Sequence, residues 1–85
     1  MRLDLSRQAL DDYAKLPDHI QEQTDAALKR LKENPRYPSL RVKKMKGHPG
    51  VWEARISRSY RILFEIEGDA FLILRLGPHD VEKNP

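Results

Sequence analysis

The spacing of apolar and polar positions divides the chain into a helical first half and a stranded second half. Arg2 to Leu5 alternates polar with apolar, the period of a short strand. Ser6 can cap the helix that follows, along which Ala9, Leu10, Tyr13 and Leu16 recur on one face. Leu16-Pro17-Asp18 breaks that helix and starts a second, with proline at the first helical position and an acidic residue in the first turn. Ile20, Thr24, Ala27, Leu28 and Leu31 form the buried stripe of the second helix. Asn34 ends it, because a residue before proline is driven out of the α region. The spacing predicts two antiparallel helices joined by a tight corner.

From Arg41 the period falls to two. Val42 to Met45 reads as a basic strand and His48-Pro49-Gly50 as a turn. Val51 to Ile56, Tyr60 to Glu67 and Ala70 to Leu76 read as three further strands. Gly68-Asp69 suits a two-residue hairpin of type II′, with glycine at the first central position.

Register decides where the charges point. A three-residue loop, Ser57 to Ser59, aligns Trp52, Ala54 and Ile56 with Ile62, Phe64 and Ile66, and Phe71 and Ile73 join that face through the next hairpin. A two-residue loop at Arg58-Ser59 would instead mix this apolar set with Arg61 and Glu65. The hydrophobic pattern selects the three-residue loop. It leaves Glu53 and Arg55 on the opposite face, with Arg55 directly across from Arg61, together with Leu63, Glu65, Leu72, Leu74 and Leu76. Two guanidiniums side by side on a sheet repel by roughly 0.2–1 kcal/mol. A shared anion would explain the arrangement; pairing of each arginine with Glu53 or Glu65 is the alternative. The result is an α+β domain: an antiparallel sheet of four to five strands, with the N-terminal strand and the two-helix hairpin packed on one face.

Composition narrows the class. A chain of 85 residues allows one domain, 1–85. At 39% hydrophobic and 34% charged it lies at the polar end of the globular range. A domain this small buries only about 60% of its unfolded surface, so a partner that covers apolar surface is expected. Cysteine is absent, which removes disulfides, thiolate nucleophiles and Cys-ligated metals. No apolar run approaches the roughly 18 residues of a membrane span, and Met1-Arg2-Leu3-Asp4 does not begin a signal peptide, so a cytoplasmic protein is expected. Net charge is only +3, but residues 29–61 carry eleven basic and two acidic side chains, against three and six in residues 1–28. Such a field favours a polyanion such as nucleic acid; a solvated helix end beside a lysine-guarded edge strand is the alternative.

The chemistry concentrates after the last strand. His79 follows Gly77-Pro78 at the sheet's rim, where an imidazole can take or give a proton near neutral pH; an inert loop histidine is the plainer reading. Arg61 begins the neighbouring strand, pairs with Leu76 in this register, and so brings the Arg55/Arg61 pair to the same pocket. Arginines grip a phosphate bidentately and stabilise charge as it develops. A proton-transferring group beside them is what RNA cleavage by the 2′-hydroxyl requires. Lys43, Lys44, Lys46 and His48 would extend the positive surface along the RNA backbone, and Arg58 lies in the adjoining loop. Histidines at 19, 48 and 79 show no metal-ligand spacing, and there is neither a Gly-rich phosphate loop nor a nucleophile elbow, so no metal and no cofactor is expected.

Over essentially its whole length the chain resembles the RelE/ParE superfamily of bacterial type II toxin–antitoxin toxins. The resemblance rests on the order of elements, on Leu16-Pro17, Lys46-Gly47, Trp52-Glu53-Ala54-Arg55-Ile56 and Tyr60-Arg61-Ile62-Leu63-Phe64, and on the closing Gly77-Pro78-His79-Asp80. It implies a ribosome-dependent mRNA endonuclease that halts translation and is neutralised by a cognate antitoxin, acting on ribosome and mRNA. Arg61 matches the arginine that RelE-like enzymes use on the scissile phosphate, and Arg55 a basic residue on the adjacent strand. His79 falls where RelE has an arginine and several relatives a catalytic histidine. The chain departs from the family pattern at two places: Glu53 replaces a lysine of RelE, and no tyrosine follows Asp80. The ParE branch supplies the competing expectation of a DNA gyrase inhibitor without nuclease activity, and a degenerate member that only binds its antitoxin is a third.

Overall fold

In the computed structural model, which describes residues 1–84, the stranded half forms one sheet and the helices lie on one side of it. The elements are β1 (Arg2–Leu5), α1 (Arg7–Lys15), α2 (Asp18–Glu33), a 3-10 turn (Pro38–Leu40), β2 (Lys43–Lys44), β3 (Trp52–Arg55), β4 (Tyr60–Glu67), β5 (Ala70–Pro78) and a second 3-10 segment (His79–Lys83). The five strands are ordered β1-β5-β4-β3-β2. β2 to β5 pair antiparallel, as expected, whereas β1 joins the edge of β5 in parallel. The helices supply the crossover that a parallel pair requires.

α1 begins at its Ser6 cap and α2 ends at Asn34 as the sequence dictates, but α2 starts one residue later than expected, with Pro17 at the cap and Asp18 first in the helix. The Ser6 hydroxyl oxygen accepts from the Ala9 amide at 3.0 Å while its own proton goes to the Leu74 carbonyl, so the cap also fastens α1 to β5. Ala9, Tyr13 and Leu16 turn inward, but Leu10 is 57% exposed. It lies about 100° round the helix from Ala9, and so short a helix rests on β5 through a narrow stripe. On α2 the expected stripe is buried, with Leu28 at its half-covered margin. Tyr13 ties the helices together, donating to Asp25 and accepting from the Gln21 side chain at its carbonyl.

The middle register is the one the apolar pattern selects: Trp52 opposes Phe64, Ala54 opposes Ile62, and Arg55 opposes Arg61. The Ser57–Ser59 loop turns without a left-handed residue. At the next hairpin Gly68 takes φ +58 while Asp69 does not adopt a positive φ, the signs that type II′ requires. The helix-facing core centres on Phe64 and Phe71, packed edge to face at 5.5 Å, with Ile62, Ile73, Leu31 and Leu40 around them.

Two expectations are corrected. β5 carries a bulge: Leu63 opposes Arg75 but Phe64 opposes Ile73, leaving Leu74 as the extra residue. Leu76 therefore opposes Ile62 and enters the main core instead of the opposite face, and Arg61 pairs with Gly77 instead of Leu76. β2 shrinks from Val42–Met45 to Lys43–Lys44, because Arg41 leaves the extended region for φ +47 and ψ +47. A left-handed backbone costs an L residue roughly 1–2 kcal/mol.

Beneath the sheet lies a second, smaller core of Leu63, Val51 and Val81, flanked by Met45 and Leu74. The segment after β5, read from sequence as a rim loop, folds back as the His79–Lys83 turn and seats Val81 on Leu63. Arg75 holds this return in place. Its guanidinium forks onto Asp12 of α1 at 2.8 and 3.2 Å and reaches the Asn84 carbonyl at 2.7 Å, while Asp12 also accepts from the Leu76 amide.

Candidate functional site

The charged cluster sits on the face away from the helices, where β3, β4 and the His79–Lys83 turn meet. Arg55 and Arg61 lie opposite each other and both guanidiniums converge on one acceptor, the Ser57 carbonyl, at 3.3 and 2.8 Å. Arg61 Nη1 also donates to the carbonyls of Arg58 and Tyr60. Their mutual repulsion is thus relieved by loop carbonyls, and Glu65 pairs with neither. Arg61 also faces Glu53, with Nε 3.8 Å from Oε1. Its guanidinium both braces the loop and carries the site's positive charge.

Glu53 is the pivot. It is only 5% exposed, with Lys43 at 3.6 Å on one side and Arg61 on the other. Burial pushes its carboxyl above the ordinary range and a hydrogen bond to Glu82 pushes it further, against the pull of Lys43 and Arg61. The same hydrogen bond holds Glu82 below the ordinary range, assisted by His79, Lys43 and Arg61 and opposed by burial. The two residues form an acid pair whose interaction raises Glu53 and lowers Glu82. His79 completes the arrangement: its Nε2 is 3.7 Å from Glu82 Oε1, its ring is open to solvent, and its amide is anchored on the Ser59 carbonyl at 2.8 Å.

Of the residues singled out from sequence, the structure brings Glu53, Arg55, Arg61 and His79 to this cluster and adds Lys43. Lys44 is not with them. Strand alternation turns its ammonium to the helix face, 5.4 Å from the Trp52 ring centroid. Lys46 and His48 line a neighbouring hollow of about 470 Å³ shared with Lys43, Glu53 and Glu82, which Lys44 also borders although its ammonium lies over Trp52, and Arg58 is exposed at the loop tip. A smaller cleft of about 200 Å³ opens between Arg41, Lys43, Glu53, Arg55 and Arg61. Sequence reasoning missed Glu82. The signal was the His79-x-x-Glu82 spacing, which juxtaposes the two side chains only once the tail is known to coil. On the helix side, Tyr37, Trp52, Phe64, Ile66 and Phe71 contribute to an apolar groove of about 530 Å³, where Tyr37 is 43% and Ile66 46% exposed.

Comparison with known proteins places the chain. The model of the ParE toxin of the type II toxin–antitoxin system parDE matches residues 3–81. A search of curated proteins finds no significant match. Among solved structures, the YoeB/ParE toxin from Agrobacterium tumefaciens superposes with a TM-score of 0.78 at 20% identity, covering 93% of this chain and 99% of that one. The intact E. coli RelBE toxin–antitoxin complex gives 0.72 at 24% identity over 91% and 94% of the two chains. The RelB–RelE antitoxin–toxin complex from Methanococcus jannaschii gives 0.76 at 20% over 96% and 99%. No helix among the described residues is long and apolar enough to cross a membrane. With the family model spanning nearly the whole chain, and with a fold shared with these solved toxins, the chain belongs to the family of ParE toxins of the type II toxin–antitoxin system parDE.

Proposed function

We propose that the protein is a ribosome-dependent mRNA endoribonuclease that inhibits translation and is neutralised by a cognate antitoxin. The observation that carries this reading is the convergence of His79, Arg61 and Lys43 on the Glu53–Glu82 acid pair. Attack of a ribose 2′-oxygen on the adjacent phosphorus forms one P–O bond and breaks the bond to the 5′-oxygen. The 2′-hydroxyl gives up a proton, the departing oxygen gains one, and the phosphorane in between carries extra negative charge. His79 moves the proton at the open edge of the site, with the Glu82 carboxylate behind it to stabilise the imidazolium. Arg61, braced by the loop carbonyls, faces the developing charge with little reorganisation, and Arg55 and Lys43 add to the field. Lys46, His48 and Arg58 guide the strand inward, while Lys44, on the other face, serves Trp52 instead. The antitoxin covers the apolar groove on the helix side, where Tyr37 and Ile66 are exposed.

The match to the ParE model favours a second reading, a gyrase inhibitor without nuclease activity. Inducible expression separates the two: mapping of 5′ ends on ribosome-bound mRNA, with gyrase-dependent DNA breaks scored in parallel. New mRNA ends without breaks are expected; breaks without new ends would replace the nuclease reading with the gyrase one. In the same assay His79→Ala should lower cleavage by roughly 10²–10⁴-fold, and His79→Gln, which cannot move a proton at neutral pH, should not restore it. Near-normal cleavage by His79→Ala would discard the acid–base role.

A further inference from the structure

Arg41 is absent from every role assigned so far, yet its position is unusual. It caps the Pro38–Leu40 turn in the left-handed region, and among the described residues it is the one non-glycine there. Glycine or asparagine would hold that backbone more comfortably. Among the described residues no carboxylate pairs with its guanidinium. Arg41 instead borders two hollows, the 200 Å³ cleft with Lys43, Glu53, Arg55 and Arg61, and the margin of the apolar groove on the helix side.

That cleft is unbalanced in charge. Three guanidiniums and an ammonium face one carboxyl, and the carboxyl is Glu53, which burial and its bond to Glu82 drive toward the neutral form. Arg55 makes one long hydrogen bond and Arg61 spends Nη1 on the loop, so several N–H groups remain to be satisfied. A planar fork that finds no carboxylate is suited to a phosphate, which guanidiniums hold bidentately. The volume equals that of about six or seven waters at roughly 30 Å³ each, room for a phosphate with its ester oxygens.

We propose that Arg41 completes, with Arg55, Arg61 and Lys43, a cleft that grips a backbone phosphodiester of the RNA. This rests on the endoribonuclease reading only for the identity of the strand. On this view the left-handed cap is retained because it swings a guanidinium across the end of β3 into the cleft, which a glycine could not do.

The test titrates the full-length protein with a 2′-O-methylated RNA trinucleotide, which cannot be cleaved, following the arginine Nε–H resonances at several salt concentrations. The Arg41 signal should shift. Arg41→Asn, which tolerates the left-handed backbone, should bind about tenfold more weakly, the loss of one charge-assisted contact. Its salt slope should fall by about 0.7, the counterion release of one single-strand phosphate. Its melting temperature should be no lower than that of the wild type, because asparagine tolerates the left-handed backbone better than arginine. Arg41→Gly, which removes the side chain altogether, should behave alike. Unchanged affinity and slope in either folded variant would overturn the proposal, as would an Arg41 resonance that ignores the trinucleotide. Inorganic phosphate bound as tightly, or a DNA duplex bound as tightly with the same loss in Arg41→Asn, would overturn the assignment to RNA. If the cleft behaves as expected but ribosome-bound mRNA stays intact in the wild type, the nuclease reading fails and the cleft stands. If Arg41→Asn cleaves limiting mRNA at the wild-type rate, the cleft fails and the nuclease stands.

Discussion

The two faces of the sheet are built on different terms. The helix side is closed by the two helices over Phe64, Phe71, Ile62 and Ile73, and its stability comes from hydrocarbon packed without charge. The other side has a small apolar patch, Leu63 with Val51 and Val81, ringed by arginines, a lysine, a histidine and an acid pair. There the cover is five residues of 3-10 turn, held by one valine and by Arg75. One face supports the fold, and the other is only as stable as the alignment of its charges requires. A site that must admit a ligand is cheaper to open on the second face than on the first.

Substitutions on each side should therefore separate stability from activity. The largest effect is expected from Phe64→Ala, which empties the centre of the main core and should cost about 3–5 kcal/mol, read from denaturant unfolding. Val81→Ala should cost only about 1–2 kcal/mol by the same measurement, yet reduce cleavage well beyond that, because Glu82 and His79 lose their seat on Leu63. Equal losses of stability in the two variants, or a Val81→Ala protein with normal activity, would end the distinction between the faces.

The smallest effect concerns proton balance. Glu53 has a folded-state value above 4.5, so its contribution to stability is fully present below about pH 4.5 and is lost as pH rises through that higher value. Glu82 has the opposite sign and loses its contribution as pH falls through its lowered value. Glu53→Gln keeps the shape and removes the ionisation. Melting curves between pH 4 and 8 should show the wild type losing ground to Glu53→Gln as pH climbs from about 4.5. A gap that stays flat, or narrows in that direction, would mean that the buried carboxyl is not desolvated.

Much of the first face was legible because periodicity reports burial directly. The β3–β4 register, the α2 stripe and the opposition of Arg55 to Arg61 all follow from which positions must be apolar together. The other face was less so, for identifiable reasons. Alternation carries no mark of an extra residue, so Leu76 was assigned to the wrong side. The tail after Gly77 has a single buried apolar side chain, Val81, too few for any period to register. Glu82 was invisible for the same reason, although Glu53, Arg55, Arg61 and His79 were each identified from pattern or resemblance. Lys43 and Lys44 looked equivalent in a basic run, and only the pleat separates the one beside Glu53 from the one on Trp52.

The extra residue at Leu74 also fixes the parity of the chain. Before it, odd positions Phe71 and Ile73 point to the helices; after it, the even position Leu76 does. The bulge lets one strand change phase midway, so that hydrocarbon continues into the core while Gly77 and the residues that follow reach Arg61 and the site in the orientation they need. Deleting Leu74 would restore a uniform pleat without changing any pairing downstream: Arg75 would still oppose Leu63, and Leu76 would still oppose Ile62 and face the core. Deleting one residue past it, between Arg75 and Gly77, would instead take Gly77 off Arg61 and His79 off the Ser59 carbonyl. A change of one residue in this strand should therefore be tolerated at the bulge and not downstream of it, a rule of even and odd that no single side chain states.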